Sequence, residues 1–199
     1  MVYFKQFSSR PYNRREILRY MKAEINSSDL SLNSLVDECI NECETKGIFA
    51  NKVCYSIVDL SISDKRILIG DISFESGVFS KKLSDCHEVV LFAATVGIDI
   101  DRLVERYSNV SPAKALAFQA IGAERIESLC DAFCEELSDE YITIPRFSPG
   151  YGEIPLDLQK DFFKMLNCEK NLGLTLTDSM LMAPTKSVTA IVGIRKKGI

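Results

Sequence analysis

The sequence has no tryptophan, one histidine and no excess of basic residues, and each shortage excludes a class of function. A single histidine excludes metal chemistry that needs several imidazole ligands. The 24 basic and 28 acidic residues give a net charge of -4, which argues against a nucleic-acid groove that neutralises phosphates. No apolar run approaches the ~20 residues of a membrane span, and the start of the chain lacks a signal-peptide core. We therefore expect a cytosolic protein that engages neither nucleic acid nor membrane.

Several short motifs of known chemistry are also missing or incomplete. No G-x-G-x-x-G opens a helix after a strand, so a dinucleotide site of the Rossmann type is unsupported. Residues 183–187 end like a phosphate-binding loop but lack its glycines. Ser111 and Lys114 match the S-x-x-K pattern of serine hydrolases, but a Ser-Pro pair is explained more simply as the start of a helix. We predict no catalytic residue.

The seven cysteines include no C-x-x-C pair. Cys39/Cys43 and Cys130/Cys134 each lie four residues apart, which places both members of a pair on one helix face. The two pairs could supply four zinc ligands, but they lie among apolar residues that form a helix core stripe, and free cysteine is a common core residue. The sequence therefore favours buried thiols over a metal site.

The arrangement of apolar residues predicts an α+β fold. Strands and helices come in clusters rather than in strict alternation, which favours a bent antiparallel or mixed sheet with helices packed against it, in a single domain. We expect a helical amino-terminal part over 1–50 and an α+β core over 51–199. One predicted helix begins at Asn13, and the other predicted helices cover about 34–46, 99–107, 111–137 and 156–166. The predicted strands cover 53–58, 66–69, 72–74, 78–79, 88–94, 174–176 and 188–194, with a hairpin around Gly77.

The segment 144–155 differs in composition from the rest of the chain. It contains three of the six prolines and two of the glycines. Proline fixes its own φ and favours an extended conformation in the residue before it, here Ile144, Ser148 and Ile154. The glycines supply positive φ or room for a ligand against the backbone. We predict a long loop with little conformational freedom.

The side chains of this loop suit a ligand that resembles an amino acid. Arg146 offers a planar fork of donors for a carboxylate, Gly150 would expose main-chain N–H groups, and Tyr151 offers a π face for a cation. The alternative is a corner loop that packs Phe147 and Tyr151 into the core, with Arg146 paired to a surface acid. The residues alone leave both interpretations open.

Three stretches together resemble a known family. They are Arg146-Phe147-Ser148-Pro149-Gly150-Tyr151, residues 173–179, and Met182-Ala183-Pro184-Thr185-Lys186-Ser187-Val188-Thr189-Ala190. In their order and spacing they resemble the activation (reactivation) domain of cobalamin-dependent methionine synthase, best over about 111–194. Over 1–110 the resemblance is looser and is closest to short, free-standing forms of that domain.

The resemblance implies that the domain binds S-adenosylmethionine in a shallow groove and docks on the cobalamin-binding domain when the cobalt has been oxidised to cob(II)alamin. A reductant, usually flavodoxin, then allows S-adenosylmethionine to remethylate the cobalt. By position, Arg146 would bind the methionyl carboxylate, Gly150 would admit the ligand to the main chain and Tyr151 would lie beside the sulfonium. Ser148, in the same loop, and Glu127, an acid of the long helix, complete the predicted binding residues.

The sequence also departs from the family pattern. Longer members continue beyond the strand equivalent to 188–194 and add an aromatic contact there, whereas this chain ends at Ile199. The methyltransfer domains are missing, so we expect an accessory subunit that acts in trans rather than an enzyme on its own. The alternatives are an S-adenosylmethionine-dependent methyltransferase of a small molecule, or a docking partner of another corrinoid methyltransferase with a degenerate ligand site.

Overall fold

The computed structural model describes residues 1–23 and 29–198. The helices and strands, in chain order, are β1 (Tyr3–Gln6), α1 (Arg14–Tyr20), α2 (Leu30–Lys46), β2 (Lys52–Ser63), β3 (Arg66–Ile69), β4 (Ile72–Glu75), α3 (Gly77–Lys82), β5 (Glu88–Thr95), α4 (Asp99–Ser108), α5 (Pro112–Glu140), β6 (Tyr141–Thr143), α6 (Leu158–Leu166), α7 (Cys168–Leu172), β7 (Thr175–Leu176), β8 (Met182–Ala183) and β9 (Ser187–Lys196).

The main sheet has the order β4-β3-β2-β5-β9-β6, and each neighbouring pair is antiparallel. The twelve-residue β2 joins two parts of this order, because its first eight residues pair with β5 and its last four residues pair with β3. β1 pairs with the start of β2, so the amino-terminal segment is part of the same sheet. The predicted α+β class with a bent antiparallel sheet in a single domain is confirmed.

The central strand β5 is buried on both faces. Val90, Phe92 and Ala94 contribute to a core with α1, α2, α4 and α5. Val89, Leu91 and Ala93 face the opposite way, into a second core with α3, α6 and α7. A strand covered on both sides needs apolar residues at successive positions, which explains why Val89–Ala94 shows no polar alternation.

The long helix α5 packs closely against α4 and the start of β9. A Cβ atom added at Gly122 would lie 2.9 Å from Cγ1 of Ile100 and 3.0 Å from Cγ of Lys186. Any larger residue at this position would therefore push these elements apart. The absence of a side chain at Gly122 thus permits the close approach of Ile100 and Lys186.

The largest error in the sequence prediction lies at Gly77. The predicted hairpin with a strand over 78–79 is wrong, because these residues form α3. Ser76 caps this helix through a hydrogen bond from the N–H of Phe79 to its hydroxyl at 2.9 Å. The β-branched Val78 favoured a strand, but the cap and packing against the second core favour the helix.

The other helix boundaries differ less from the prediction. Asn13 caps α1 as predicted, and Gly47 ends α2 with φ +58. However, α2 begins at Leu30 rather than at 34, because Asp29 accepts hydrogen bonds from the N–H groups of Ser31 and Leu32. Helix α5 begins at Pro112 as predicted, although Ser111 makes no side-chain capping bond. The short elements β1, β6, α7 and β8 were not predicted.

The seven cysteines are free, and all but the half-buried Cys134 are buried. Burial raises the pKa of the Cys43 thiol to about 12, and it also raises the pKa of Cys130. These thiols therefore stay protonated and contribute to the core as small apolar groups. Among the described residues, no helix combines the length and apolar character required to cross a membrane.

Candidate functional site

The first half of the loop 144–155 follows the edge of β9 and contains a bulge. The N–H of Ile144 donates to the carbonyl of Gly193 at 3.0 Å, and that of Phe147 donates to the carbonyl of Ile191 at 2.9 Å. Three steps along the loop thus match two steps along β9, which is the arrangement of a β-bulge. Pro145 and Arg146 share the space opposite one β9 residue, and Arg146 lies on the side of α5.

Two carboxylates of α5 hold the guanidinium of Arg146. Its Nη1 lies 2.5 Å from Oδ1 of Asp131, and its Nη2 lies 2.6 Å from Oε2 of Glu127. Burial works against the charge of Arg146, but the hydrogen bonds to Asp131 and Glu127 outweigh it and raise the Arg146 pKa. The Arg146 side chain is 25% exposed, whereas those of Glu127 and Asp131 are 47% and 56% exposed. The cluster therefore lies at the surface, with its carboxylates open to solvent.

A tight turn gives the centre of the loop its shape. The N–H of Tyr151 donates to the carbonyl of Ser148 at 3.1 Å. Pro149 and Gly150 occupy the middle positions, and Gly150 has φ +85, which are the features of a type II turn. The N–H of Gly150 donates to the carbonyl of Ile154 at 2.9 Å, so the expectation that it is free for a ligand is wrong. Backbone conformation, and not an exposed amide, requires glycine at this position.

The second half of the loop is fixed to α3. Oε2 of Glu153 accepts hydrogen bonds from the hydroxyl of Ser76 at 2.9 Å and from the N–H of Val78 at 3.1 Å. The bonds from Val78 and then Ser76 lower the pKa of Glu153. Phe147 packs edge-on against Phe79 with ring centroids 5.0 Å apart. Both ends of the loop are therefore anchored, while Tyr151 between them is 68% exposed.

Three hollows surround these residues. The first, which we call the inward hollow, has a volume of about 540 Å³ and lies between α1, the segment before it and α5, and it is lined by Glu127 and Asp131 among others. An open groove of about 560 Å³ lies on the other side of the cluster and is lined by Arg146, Cys134 and residues 143–145. A small apolar hollow of about 50 Å³ lies beside Tyr151 and Glu153. The Arg146 cluster thus borders two hollows of similar size, because its carboxylates line the first and Arg146 lines the second.

A buried ion pair holds the far wall of the inward hollow. Arg125 Nε lies 2.6 Å from Oε2 of Glu124, and both side chains are at most 4% exposed. Arg125 also donates to the carbonyls of Arg10 and Pro11 at 2.5 and 3.2 Å. The N–H of Asn13 donates to Glu124 at 3.2 Å. This pair fixes the segment before α1 against α5 and so gives the hollow its shape.

The structure brings some of the predicted site residues together and separates others. Arg146 and Glu127 are in direct contact, which the sequence did not predict. Ser148, Gly150 and Tyr151 lie in one turn, and Tyr151 borders the small hollow rather than the large one. Sequence reasoning missed Asp131 and Glu153. Asp131 could have been found from its position four residues after Glu127, on the same face of the helix.

The comparisons with known proteins agree with this architecture. The fold is similar to that in a crystal structure of the MetH reactivation domain bound to AdoHcy, with a TM-score of 0.74 and 15% sequence identity. The similarity covers 100% of this chain and 80% of that one. The search of curated proteins found no significant match.

A family model provides the assignment. The model described as "Vitamin B12 dependent methionine synthase, activation domain" matches residues 74–197, which include α5, the loop 144–155 and β9. It spans well over half of the chain, and it agrees with the resemblance predicted from the loop and the segments that follow it. The chain therefore belongs to the family of vitamin B12 dependent methionine synthase activation domains.

Proposed function

We propose that this chain binds S-adenosylmethionine beside Arg146 and presents its methyl group to the cobalamin of a partner domain. The observation that carries the proposal is the position of Arg146, which a loop anchored at both ends holds between two hollows. Family membership supports the cobalamin context, and the structural neighbour is bound to AdoHcy, the product that S-adenosylmethionine leaves after methyl transfer.

The size and charge of the site suit this ligand. The inward hollow of about 540 Å³ falls within the ~300–1,000 Å³ of small-molecule sites. Its carboxylates favour a cation, and Arg146 favours a carboxylate. Asp131 and Glu127 each accept one hydrogen bond from Arg146. A guanidinium has five N–H groups, so Arg146 can also donate hydrogen bonds to a ligand carboxylate. S-adenosylmethionine carries both kinds of charge.

The residues of the chain would bind and orient S-adenosylmethionine rather than transfer protons. S-adenosylmethionine supplies a methyl group already activated by its sulfonium, so no general base is required. Arg146 would hold the carboxylate, with Glu127 beside it on α5. Tyr151 would place its exposed ring near the sulfonium, where a π face favours a cation, and the turn at Ser148 and Gly150 would keep that ring in position.

The partner in this proposal is a cobalamin-binding domain, in the same or another polypeptide, together with a one-electron reductant such as a flavodoxin. Val78 on α3, Tyr151 on the loop and Leu156 just after the loop have exposed side chains, and they would form the surface around the proposed position of the sulfonium. A methyl group must reach the cobalt directly, so this surface has to face the corrinoid. By contrast, the antiparallel sheet gives no support to a small-molecule methyltransferase built on a parallel sheet.

Calorimetric titration with S-adenosylmethionine tests the proposal. Arg146→Ala should weaken binding about ten- to a hundredfold, because a charge-assisted hydrogen bond contributes ~1.5–3 kcal/mol. Arg102→Ala is the matched control, since Arg102 is an exposed arginine on α4 that pairs with Asp99. Equal affinity of the wild-type chain and Arg146→Ala, or no binding by the wild-type chain, would contradict the proposal.

A further inference from the structure

Two cysteines of the second core, Cys54 on β2 and Cys168 at the start of α7, form a pair that the proposed function does not use. Their thiols are in hydrogen-bond contact with each other, and both residues are 0% exposed. The Cys54 Sγ also lies 3.9 Å from the carbonyl oxygen of Leu166, which precedes Cys168 by two residues. The sheet and the connection between α6 and α7 therefore hold the two sulfur atoms side by side.

The cysteines that are close in the sequence are arranged differently. Cys39 and Cys43 lie four residues apart on α2, and Cys130 and Cys134 have the same spacing on α5. Cβ atoms at this spacing on a helix lie ~5–6 Å apart, whereas a disulfide needs ~3.5–4.5 Å. Cys54 and Cys168 come from two different elements, so no helix fixes them at the longer distance.

The contact makes the two thiols chemically unequal. The hydrogen bond with Cys168 lowers the pKa of the Cys54 thiol, whereas the same bond and then burial raise the pKa of Cys168. The thiolate is the form of cysteine that attacks an oxidant. Cys54 is therefore the nucleophile of the pair, and Cys168 is the neighbouring thiol that can condense with its oxidised form.

Cys168 lies on a short helix that can open locally. α7 has five residues and follows α6 through Asn167, which has φ +49. So short a helix has little stability of its own and depends on the packing of Cys168 and Leu172 in the second core. Local opening of α7 gives a small molecule access to both thiols while the sheet stays folded.

We infer that Cys54 and Cys168 form a peroxide-responsive pair that closes to a disulfide and so fixes α7 to β2. The Cys54 thiolate attacks one peroxide oxygen, the O–O bond breaks, and the leaving hydroxide takes up the proton that Cys54 released. The sulfur of Cys168 then attacks the resulting sulfenic acid, the S–S bond forms, and the hydroxide that leaves takes up the proton of Cys168. Two thiols are oxidised to one disulfide, and one hydrogen peroxide is reduced to two waters.

The disulfide would lie beneath the loop 144–155. Ile154 of the loop and Leu158 and Phe162 of α6 belong to the same core as the pair. A bond from β2 to α7 therefore holds the support of the loop in place, while Arg146 remains paired with α5. A thiol reductant reverses the bond, so the device is a switch rather than permanent damage.

Peptide mapping of the full chain tests the inference. After treatment with hydrogen peroxide, the remaining thiols are alkylated and the chain is digested with trypsin. Cleavage after lysine releases Cys54 in peptide 53–65 and Cys168 in peptide 165–170, each with one cysteine. The main oxidised cysteine product should be a crosslink between these two peptides that dithiothreitol splits. The crosslinked chain should also unfold at a higher urea concentration than the reduced chain, because the bond restricts the unfolded state.

Single variants separate the roles of the two thiols. In Cys168→Ala, peroxide should leave Cys54 as a sulfenic acid that dimedone labels. In Cys54→Ala, dimedone should not label Cys168. The matched control is Cys43→Ala, which removes a buried thiol of the first core and should form the crosslink as the wild-type chain does.

The wild-type peptide map decides the inference whether or not each variant folds. Oxidation without this crosslink, or a main crosslink between other cysteines, would overturn it. Dimedone labelling of Cys168 in Cys54→Ala would overturn the assigned order of attack. Neither result depends on S-adenosylmethionine, so the proposed function is tested separately by its own titration.

Discussion

Two arginines, Arg125 within α5 and Arg146 beside it, form ion pairs with carboxylates of the same helix and have opposite surroundings. Arg125 is buried, pairs with the neighbouring Glu124 and donates to two backbone carbonyls. Arg146 reaches across from a loop to Glu127 and Asp131, which are half exposed. The first guanidinium holds a chain segment in place. The second has solvent beside it and donors to spare, as a binding group needs.

The difference lies in what is lost when the arginine is removed. A buried carboxylate that loses its partner cannot be hydrated by solvent, so the free-energy cost of its desolvation is uncompensated. An exposed carboxylate regains water at small cost. Ion-pair distances therefore do not distinguish a structural arginine from a binding arginine, whereas the burial of the paired carboxylates does.

The largest effect is expected for Arg125→Met. It leaves Glu124 charged and buried, which should lower the free energy of unfolding by about 3–5 kcal/mol. Arg146→Met should lower it by only ~1 kcal/mol or less, because its partners are solvated. Urea denaturation of both variants measures the contrast. Replacement of Glu124 and Arg125 together by apolar residues should recover part of the loss, and equal destabilisation by the two arginine variants would break the comparison.

An intermediate effect is expected for Gly150→Ala, which tests whether the loop around Arg146 holds its shape through its backbone. Alanine at φ +85 is strained, and its Cβ would lie 3.1 Å from Cδ1 of Leu156. The loss of stability should be about 1–2 kcal/mol, with weaker S-adenosylmethionine binding. Gly152→Ala is the matched control, because Gly152 also has positive φ but no atom within 4 Å of a Cβ. Greater damage at Gly152 would contradict this account.

The smallest effect is expected for Glu153→Gln, and it depends on pH. The folded pKa of Glu153 lies below its ordinary value of 4.5, so its charge stabilises the fold above that value. The stabilisation is lost as the pH falls through the lower, folded pKa. Urea denaturation from neutral to acidic pH should show wild type more stable than the variant at pH 7, with the difference shrinking below about 4.5. The control variant is Glu105→Gln, which changes an exposed glutamate of α4 outside the loop; equal stability of wild type and Glu153→Gln at pH 7 would contradict this account.

Much of the fold could be predicted from the sequence, because its strongest signals are local. The unbroken apolar run of β5 identified a buried strand, and Pro112 and Gly47 marked helix ends within a residue. The errors fell where distant residues decide the structure. Residues 77–82 form α3 because they pack against the second core, although their cap at Ser76 is a local signal that the prediction overlooked. β1 is a strand because β2 offers it an edge.

The site was predictable in its residues and less so in its arrangement. Proline and glycine identified the loop 144–155 and its positive φ values. The bulge opposite β9 could not be foreseen, because it depends on a register between strands far apart in the sequence. For the same reason, the contacts of Arg146 with α5 and of Glu153 with α3 became visible only in the structure.

The bulge has a further consequence for how the protein avoids self-association. The sheet ends at β6, a strand of three residues, and the chain then continues along β9 through Pro145 with one residue out of register. An open sheet edge can pair with a strand of another chain through its row of free N–H and C=O groups. A short edge strand, a proline and a bulge each interrupt that row. The irregularity that places Arg146 thus also protects this edge of the sheet from pairing with another chain.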